Sequence, residues 1–355
     1  MKYIIYSLLL FTCYQCTSKN VQQSSDAINI TWNSKMIYPM SSIIKSCEYI
    51  ILKTSTESLI KNITKLQVKN NCFFILDDSN NNNKLLVFDK NGNFIKTIGC
   101  QGRGPKEYLH ISDFSLYNNH LFLLDEQGDK ILVYDTTGQF IESKYYTLKY
   151  PNCFFKTTHG FIFFLPYDEE IKKDKYALFT TDEGCKPLSQ SCKYTPQSCH
   201  ISLPTQFVET DSLITFGQFA NEEFTIFNRQ GNIHTSYHIE FAKQQVKIDK
   251  NSKLLFDKTQ NHVFLTSIPI IISKYIYGNL WNKGIVTSFA IDLTNHDLYI
   301  DEDFSLTTRG QAYHVNSNTI AISLDYSLYE HQNIPEYLKH KLEEGTNIIQ
   351  VIKFK

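Results

Sequence analysis

Two segments, CFFILDD (Cys72–Asp78) with KLLVFDKNGNFIKTIG (Lys84–Gly99), and HLFLLDE (His120–Glu126) with KILVYDTTGQFIESKY (Lys130–Tyr145), state one pattern twice. Asp89 maps onto Asp135, Gly92 onto Gly138 and Phe94 onto Phe140, each 46 positions on. The same spacing reaches Gly184 in TTDEG and, 47 further, Gly231 in FNRQG. Self-similarity at a period of 40 to 50 residues is the signature of propellers and solenoid arrays. Within a period the apolar residues are β-branched or aromatic and come in short runs, which predicts strands. Asp-Lys-Asn-Gly, Asp-Thr-Thr-Gly, Thr-Asp-Glu-Gly and Asn-Arg-Gln-Gly stand between the last two strands of a period. A tight reversal there needs a residue at positive φ, which glycine adopts at no steric cost. Each period is therefore expected to be a four-stranded antiparallel sheet. Stacked radially, such sheets bury both faces, which makes each a β-propeller blade.

Outward from this core, blade one is expected over Ile63–Val68, Cys72–Leu76, Leu85–Phe88 and Phe94–Ile98, and blade two from Ile111 to Leu148. Blade three uses Phe161–Leu165 and Ala177–Thr180, and blade four runs from Phe207 to Ile239. Blade five takes Val263–Leu265, Ile270–Tyr277 and Ile285–Asp292, with Asn295 in the turn position that glycine holds elsewhere. The last blade has only Ala312–Val315, Thr319–Leu324 and Ile348–Phe354, interrupted by Pro335–Gly345, a short surface helix with proline at its start and glycine past its end. The isolated strand Glu48–Lys53 supplies the missing fourth. Closing the ring with strands from both termini removes an open sheet edge. The expected fold is thus all-β, a six-bladed β-propeller.

The domain reading is an export signal over residues 1–16, a tether and lead-in over 17–47, and the propeller over 48–355. Lys2 precedes an apolar run, Tyr3–Phe11, too short to span a membrane and suited to export. Cys13 and Cys16 follow at once, and both are candidate lipidation sites. A net charge of −1 gives no electrostatic reason to expect nucleic acid. The 25 Phe and 22 Tyr against 2 Trp suit aromatic-packed strands.

With Glu48–Ile60 (EYIILKTSTESLI), the repeats, Gly99–Phe114 (GCQGRGPKEYLHISDF) and Ile348–Lys355 (IIQVIKFK), the chain resembles the exported six-bladed β-propeller lipoproteins of Gram-negative gut bacteria, which are similar to NHL-repeat propellers. The resemblance implies a lipid-anchored envelope location, the outer membrane above all, and carries no general activity.

Gly99–Tyr108 is the most distinctive segment outside the repeat. Its glycines let backbone amides approach a ligand, and Arg103, Lys106, Glu107 and Tyr108 are the candidate ligand-binding residues, with Arg103 and Lys106 suited to an anion. The alternative is a tight crossover in which Pro105 and Tyr108 pack between blades and Glu107 pairs locally. Asp77-Asp78, Asp125-Glu126, Asp89 and Asp135 recur with the repeat. They suit turn capping, against a reading in which axial carboxylates hold calcium. The Asn80–Asn83 run lacks the glycine and distal glutamate of a calcium loop. Cys185, Cys192 and Cys199 lie seven apart beside His200, without the close cysteine pair of a zinc site, though a disulfide is permitted outside the cell. No Gly-x-Ser-x-Gly or papain-like motif occurs, so no catalytic residue is assigned. The functional expectation is a non-enzymatic binding or scaffolding propeller in the cell envelope, without cofactor, whose partner is a glycan, a peptide or an envelope protein. The membrane is met through the lipid anchor only. A calcium-dependent hydrolase or lactonase is the alternative.

Overall fold

In the computed structural model the described residues are 27–32, 37–78, 83–167, 176–194, 203, 205–218, 221–241, 263–282, 285–301, 310–324 and 334–355. They form six antiparallel sheets arranged as six blades around one axis. The first strand of each blade is the innermost: Ile63–Lys69, Ile111–Tyr117, Cys153–Lys156, Phe207–Glu209, the pair Val263–Leu265 and Ile270–Ile272, and Ala312–Asn316.

Closure follows the expected scheme. In blade 6 the three C-terminal strands Ala312–Asn316, Thr319–Ser323 and Ile348–Phe354 are completed on the outside by Ile44–Ile51, antiparallel to the last of them, with Ile51 opposite Ile348 and Ile44 opposite Phe354. The boundary differs from the sequence reading. The closing strand starts at Ile44, inside the stretch read as tether. Further upstream Ile28–Thr31 adds in parallel to the outer strand of blade 4, and Ile37–Pro39 to that of blade 5. These segments are too short to show strand periodicity of their own; they take the conformation of the sheet edges they pair with. Ile28–Thr31, Ile37–Pro39 and Ile44–Ile51 therefore add in turn to the outer edges of blades 4, 5 and 6.

Six apolar clusters fill the six gaps between neighbouring blades. The cluster joining blade 6 to blade 1, with Tyr313, Ala321 and Ile349 against Phe73, Ile75 and Phe88, is built like the other five. Burying a side chain of this size contributes roughly 1.5–3 kcal/mol, so the ring is held mainly by side-chain packing between sheets, beside single backbone hydrogen bonds at the turns such as Lys53 to Gly92 (2.8 Å) and Thr158 to Arg229 (2.7 Å). In blade 3, Phe154 stacks on Phe163 at 5.9 Å, and Phe155 meets Phe207 of blade 4 edge-on at 4.9 Å.

Turn chemistry explains the repeat. Asp89 Oδ1 accepts from the amides of Asn91 and Asn93, both at 2.8 Å, while Gly92 (φ 77°) donates to the Asp89 carbonyl at 3.0 Å. Asp135, Asp182 and Asn228 make the same turn in blades 2 to 4. Hydrogen bonds from Asn93, and from Thr137 in the next blade, hold the Asp89 and Asp135 carboxyls below the usual range. Two turn positions differ from the sequence reading. The left-handed residue of blade 3 is Cys185 (φ 64°), not Gly184, because the turn is counted from Asp182. In blade 5 it is His296 (φ 61°), not Asn295, since the turn from Asp292 holds one extra residue. Blade 5 also breaks the expected strand Ile270–Tyr277 at Ser273 (φ 53°), so Ile270–Ile272 folds back on Tyr275–Asn282. The helix forms over Glu336–Glu343, with Pro335 as N-cap and Gly345 at φ 77° beyond its end. No helix among the described residues is long and apolar enough to cross a membrane.

Candidate functional site

The inner strands bring together side chains far apart in sequence. Lys65 of blade 1 and Asp113 of blade 2 occupy equivalent repeat positions 48 apart. They meet at 2.7 Å near the axis, with side chains only 3% and 2% exposed. Asp113 also accepts from the backbone amides of Phe114 (2.8 Å) and Phe154 (2.9 Å). Glu209 of blade 4 stands 3.8 Å from Lys65 and accepts from Gln67 (2.7 Å), Ser115 (2.9 Å) and Arg229 (2.8 Å). Arg229 lies in the turn after the third strand of blade 4, and its remaining nitrogens donate to the carbonyls of Thr210 and Asp211. Three carboxylate- or ammonium-bearing inner strands are thereby joined through four residues.

Burial pulls the Lys65 ammonium down, but Asp113 and Glu209 outweigh it and hold the group above its usual value. Burial pushes the Asp113 carboxyl up, against Lys65 and the two amides. Nearby, Lys156 pairs with Glu183 at 2.6 Å and lies 5.2 Å from the centre of the Phe161 ring. Beside the cluster a cavity of ≈ 90 Å³ opens between Lys69, Tyr117, Asp211, Arg229 and His314. It is several-fold smaller than the clefts at the rim described below. Burial keeps the His314 imidazole below its usual range, with Asp211 acting in the opposite sense.

Sequence reading passed over Lys65, Asp113, Glu209 and Arg229. The signal was present in ITKLQV and ISDFSL, where opposite charges stand at the same repeat position of two apolar inner strands. It becomes legible only once those strands are known to converge.

The residues singled out in Gly99–Tyr108 are brought into one loop, but with different surroundings. Tyr108 is 2% exposed and donates to the Asn83 carbonyl at 3.0 Å, while the Asn83 side chain pairs with both backbone groups of Ile111. Burial pushes the Tyr108 phenol above its usual range. The Glu107 carboxylate turns back onto the loop and accepts from the Gly104 amide at 2.8 Å. A Cβ on Gly102 would lie 2.0 Å from Glu107 Oε2, so that glycine makes room for the carboxylate. Arg103 and Lys106 are exposed, Lys106 lying 5.6 Å from the centre of the Phe140 ring. The amides that a bound anion would use are thus met in part by Glu107.

The repeating carboxylates divide by position. Asp77 Oδ1 accepts from the amides of Lys61 (3.0 Å) and Asn62 (2.8 Å); Asp125 does the same for Leu109 and His110, both at 3.1 Å. Each ties the end of a second strand to the loop that feeds its own blade's first strand. Asp78 and Glu126 flank His110, at 3.3 Å from Nε2 and 3.9 Å from Nδ1. Since they address opposite ring nitrogens, the three do not converge on one point. Among the described residues no three His, Cys, Asp or Glu side chains stand together so as to hold a metal ion. Cys185 and Cys192 are buried in different inter-blade clusters, and burial pushes both thiols up to about 12. Neither therefore offers a thiolate near neutral pH. Cys199, His200, Cys13, Cys16 and Asn80–Asn82 lie outside the described residues.

Two larger clefts open where inter-blade loops feed the inner strands. One, of ≈ 680 Å³, lies between blades 6 and 1 and is lined by Asn62, Thr64, Gln311, Ser323, Leu342 and Thr346. The other, of ≈ 520 Å³, lies beside the crossover from blade 2 to blade 3, between Glu126 and Tyr150.

The model of a family described as 6-bladed beta-propeller (DUF5128) matches residues 18–268. Among solved structures, one of Bacteroides fragilis described as an exported protein superposes with a TM-score of 0.71 at 17% identity, covering 92% of this chain and 99% of that one. A member of the duf4221 family from Bacteroides vulgatus gives a TM-score of 0.52 at 10% identity, over 88% and 98% of the two chains. Both likenesses concern the fold. No curated protein matches the chain.

Proposed function

The chain belongs to this family of 6-bladed β-propellers, and we propose that it is an exported, lipid-anchored envelope protein that binds a partner and performs no catalysis of its own. The observation that carries the reading is the state of the axis. The alternative, a calcium-dependent hydrolase, needs carboxylates at the axis free to ligate oxygen-loving metal. Here Asp113 and Glu209 already face Lys65 and Arg229 at close range. A divalent cation would have to displace an ammonium and a guanidinium from a site that is almost dry. The cavity beside them is several-fold smaller than the clefts at the rim. What remains open to ligands are the clefts and loops at the rim, the usual place for recognition on a rigid scaffold.

Export is supported by the apolar run Tyr3–Phe11 and by the description of the Bacteroides fragilis neighbour. Cys13 and Cys16, directly after that run, are the acylation sites on this reading, and the outer membrane is the destination. The partner is an envelope glycan, peptide or protein. The test pairs two measurements on the full chain. Fatty-acid labelling in cells is expected to be lost in Cys13→Ala with Cys16→Ala. Melting of the purified protein is expected to be indifferent to calcium and to chelator. A calcium-dependent rise in melting temperature, with hydrolysis of a lactone or phosphotriester panel, would replace the binding reading by the hydrolase.

A further inference from the structure

The cleft at the blade 2 to blade 3 crossover has features that the ring itself does not require. Tyr150 sits in the left-handed region (φ 53°) with 71% of its surface exposed. A bulky side chain in that conformation is uncommon and strained. An exposed aromatic gains no core packing to offset the strain. The floor beneath it is fixed. Tyr146 and Leu148 are buried, the Tyr146 hydroxyl donates to the Asp125 carbonyl at 3.2 Å, and its amide donates to the Asp129 carbonyl at 3.1 Å. From this floor the Tyr150 ring stands beside a cleft of ≈ 520 Å³ whose other walls are Glu126, Gln127, Asp129, Thr147 and Lys149.

We infer that this cleft is a saccharide-binding site that takes a neutral oligosaccharide with one sugar ring packed on Tyr150. The inference rests on the binding reading above and names its ligand class. Its volume falls in the range of small-molecule sites, roughly 300–1,000 Å³. A pyranose presents a flat C–H face and a rim of hydroxyls. The cleft offers one broad apolar surface, the Tyr150 ring, surrounded by two carboxylates, an amide, a hydroxyl and an ammonium that can accept from and donate to such a rim. Two carboxylates against one ammonium disfavour sulfated or uronic sugars and nucleotides. A peptide fits less well: the apolar floor is already buried, leaving no deep pocket for a side chain. Among the described residues the larger cleft between blades 6 and 1 offers only one ring, Tyr313, which is buried and donates to the Thr64 carbonyl.

The experiment is calorimetric titration of the purified full chain in detergent with neutral gluco-, manno-, galacto- and N-acetylglucosamine oligosaccharides, beside oligolysine as the cationic competitor. At least one neutral oligosaccharide is expected to bind. Tyr150→Ala should weaken it at least tenfold, Tyr150→Trp should retain it, and Glu126→Gln should weaken it with an unchanged melt. If a saccharide binds equally to Tyr150→Ala and Glu126→Gln, this cleft is not its site and the inference fails while the binding reading stands. If oligolysine alone binds, or no neutral oligosaccharide does, the ligand class is wrong.

Discussion

Replacing Lys65 with Met separates the two contributions to the axial cluster. The side chain keeps its length and apolar stem and loses its charge. Asp113, whose side chain is 2% exposed, would retain the Phe114 and Phe154 amides and face no cation, whereas Glu209 keeps Arg229, Ser115 and Gln67. Breaking a buried pair from one side costs about 3–5 kcal/mol, mainly through the charge left behind. The two amides place the expected loss near the lower end, about 3 kcal/mol. Adding Asp113→Asn removes the orphaned charge and should recover most of it. The pH dependence has a definite sign. Folding already raises the Asp113 carboxyl above 3.8, and removal of Lys65 raises it further. A carboxyl raised by folding lowers stability as pH climbs from its unfolded value through its folded one. The deficit of Lys65→Met should therefore shrink toward acid pH and be full at neutrality. In the parent, Lys65 is raised above 10.5, so its contribution is present below that value and is lost as pH rises through the folded value. Urea unfolding of parent, single and double variants near pH 5 and near pH 7 measures all of this. A single-variant loss below about 1 kcal/mol at neutral pH, or a loss identical at both pH values, would refute an ionised pair at the axis.

Three further outcomes follow from the same structure. Deleting residues 1–26 should leave the melt unchanged, whereas deletion through Ile51 removes the outer strand of blade 6 and bares the edge of Ile348–Phe354; equal melting temperatures would dismiss the closure. Tyr108→Ala, at a fully buried ring with a hydrogen-bonded hydroxyl, should cost about 3 kcal/mol or more, while Arg103→Ala with Lys106→Ala should change stability by no more than about 0.5 kcal/mol. Denaturant titration reads both, and the reverse order would make the loop's charges structural. Gly92→Ala would place a Cβ 2.1 Å from the Ile51 carbonyl oxygen at φ 77°, whereas Gly345→Ala, also at φ 77°, meets nothing within 4 Å. The first should lower the melting temperature distinctly more than the second, and similar losses would show that backbone strain alone sets the effect.

The sequence by itself determined the blade. Asp89, Asp135, Asp182 and Asn228 each organise their turn through hydrogen bonds within five residues, so their spacing is a local property and the period can be counted without a structure. Closure was legible from strand counting: the last blade is one strand short, and the apolar strand before the first repeat has no other partner. The tertiary structure alone decided what depends on distance through the ring. Ile28–Thr31 and Ile37–Pro39 become strands only because finished sheet edges receive them. Cys185 replaces Gly184 at the turn because hydrogen bonding to Asp182 outweighs glycine's lower strain. Lys65, Asp113, Glu209 and Arg229 form one cluster because radial packing brings the inner strands of blades 1, 2 and 4 together, although 164 positions separate the first residue from the last. Tyr150 is one tyrosine among 22 in the sequence, and only the loop's backbone conformation turns its ring outward over a cleft.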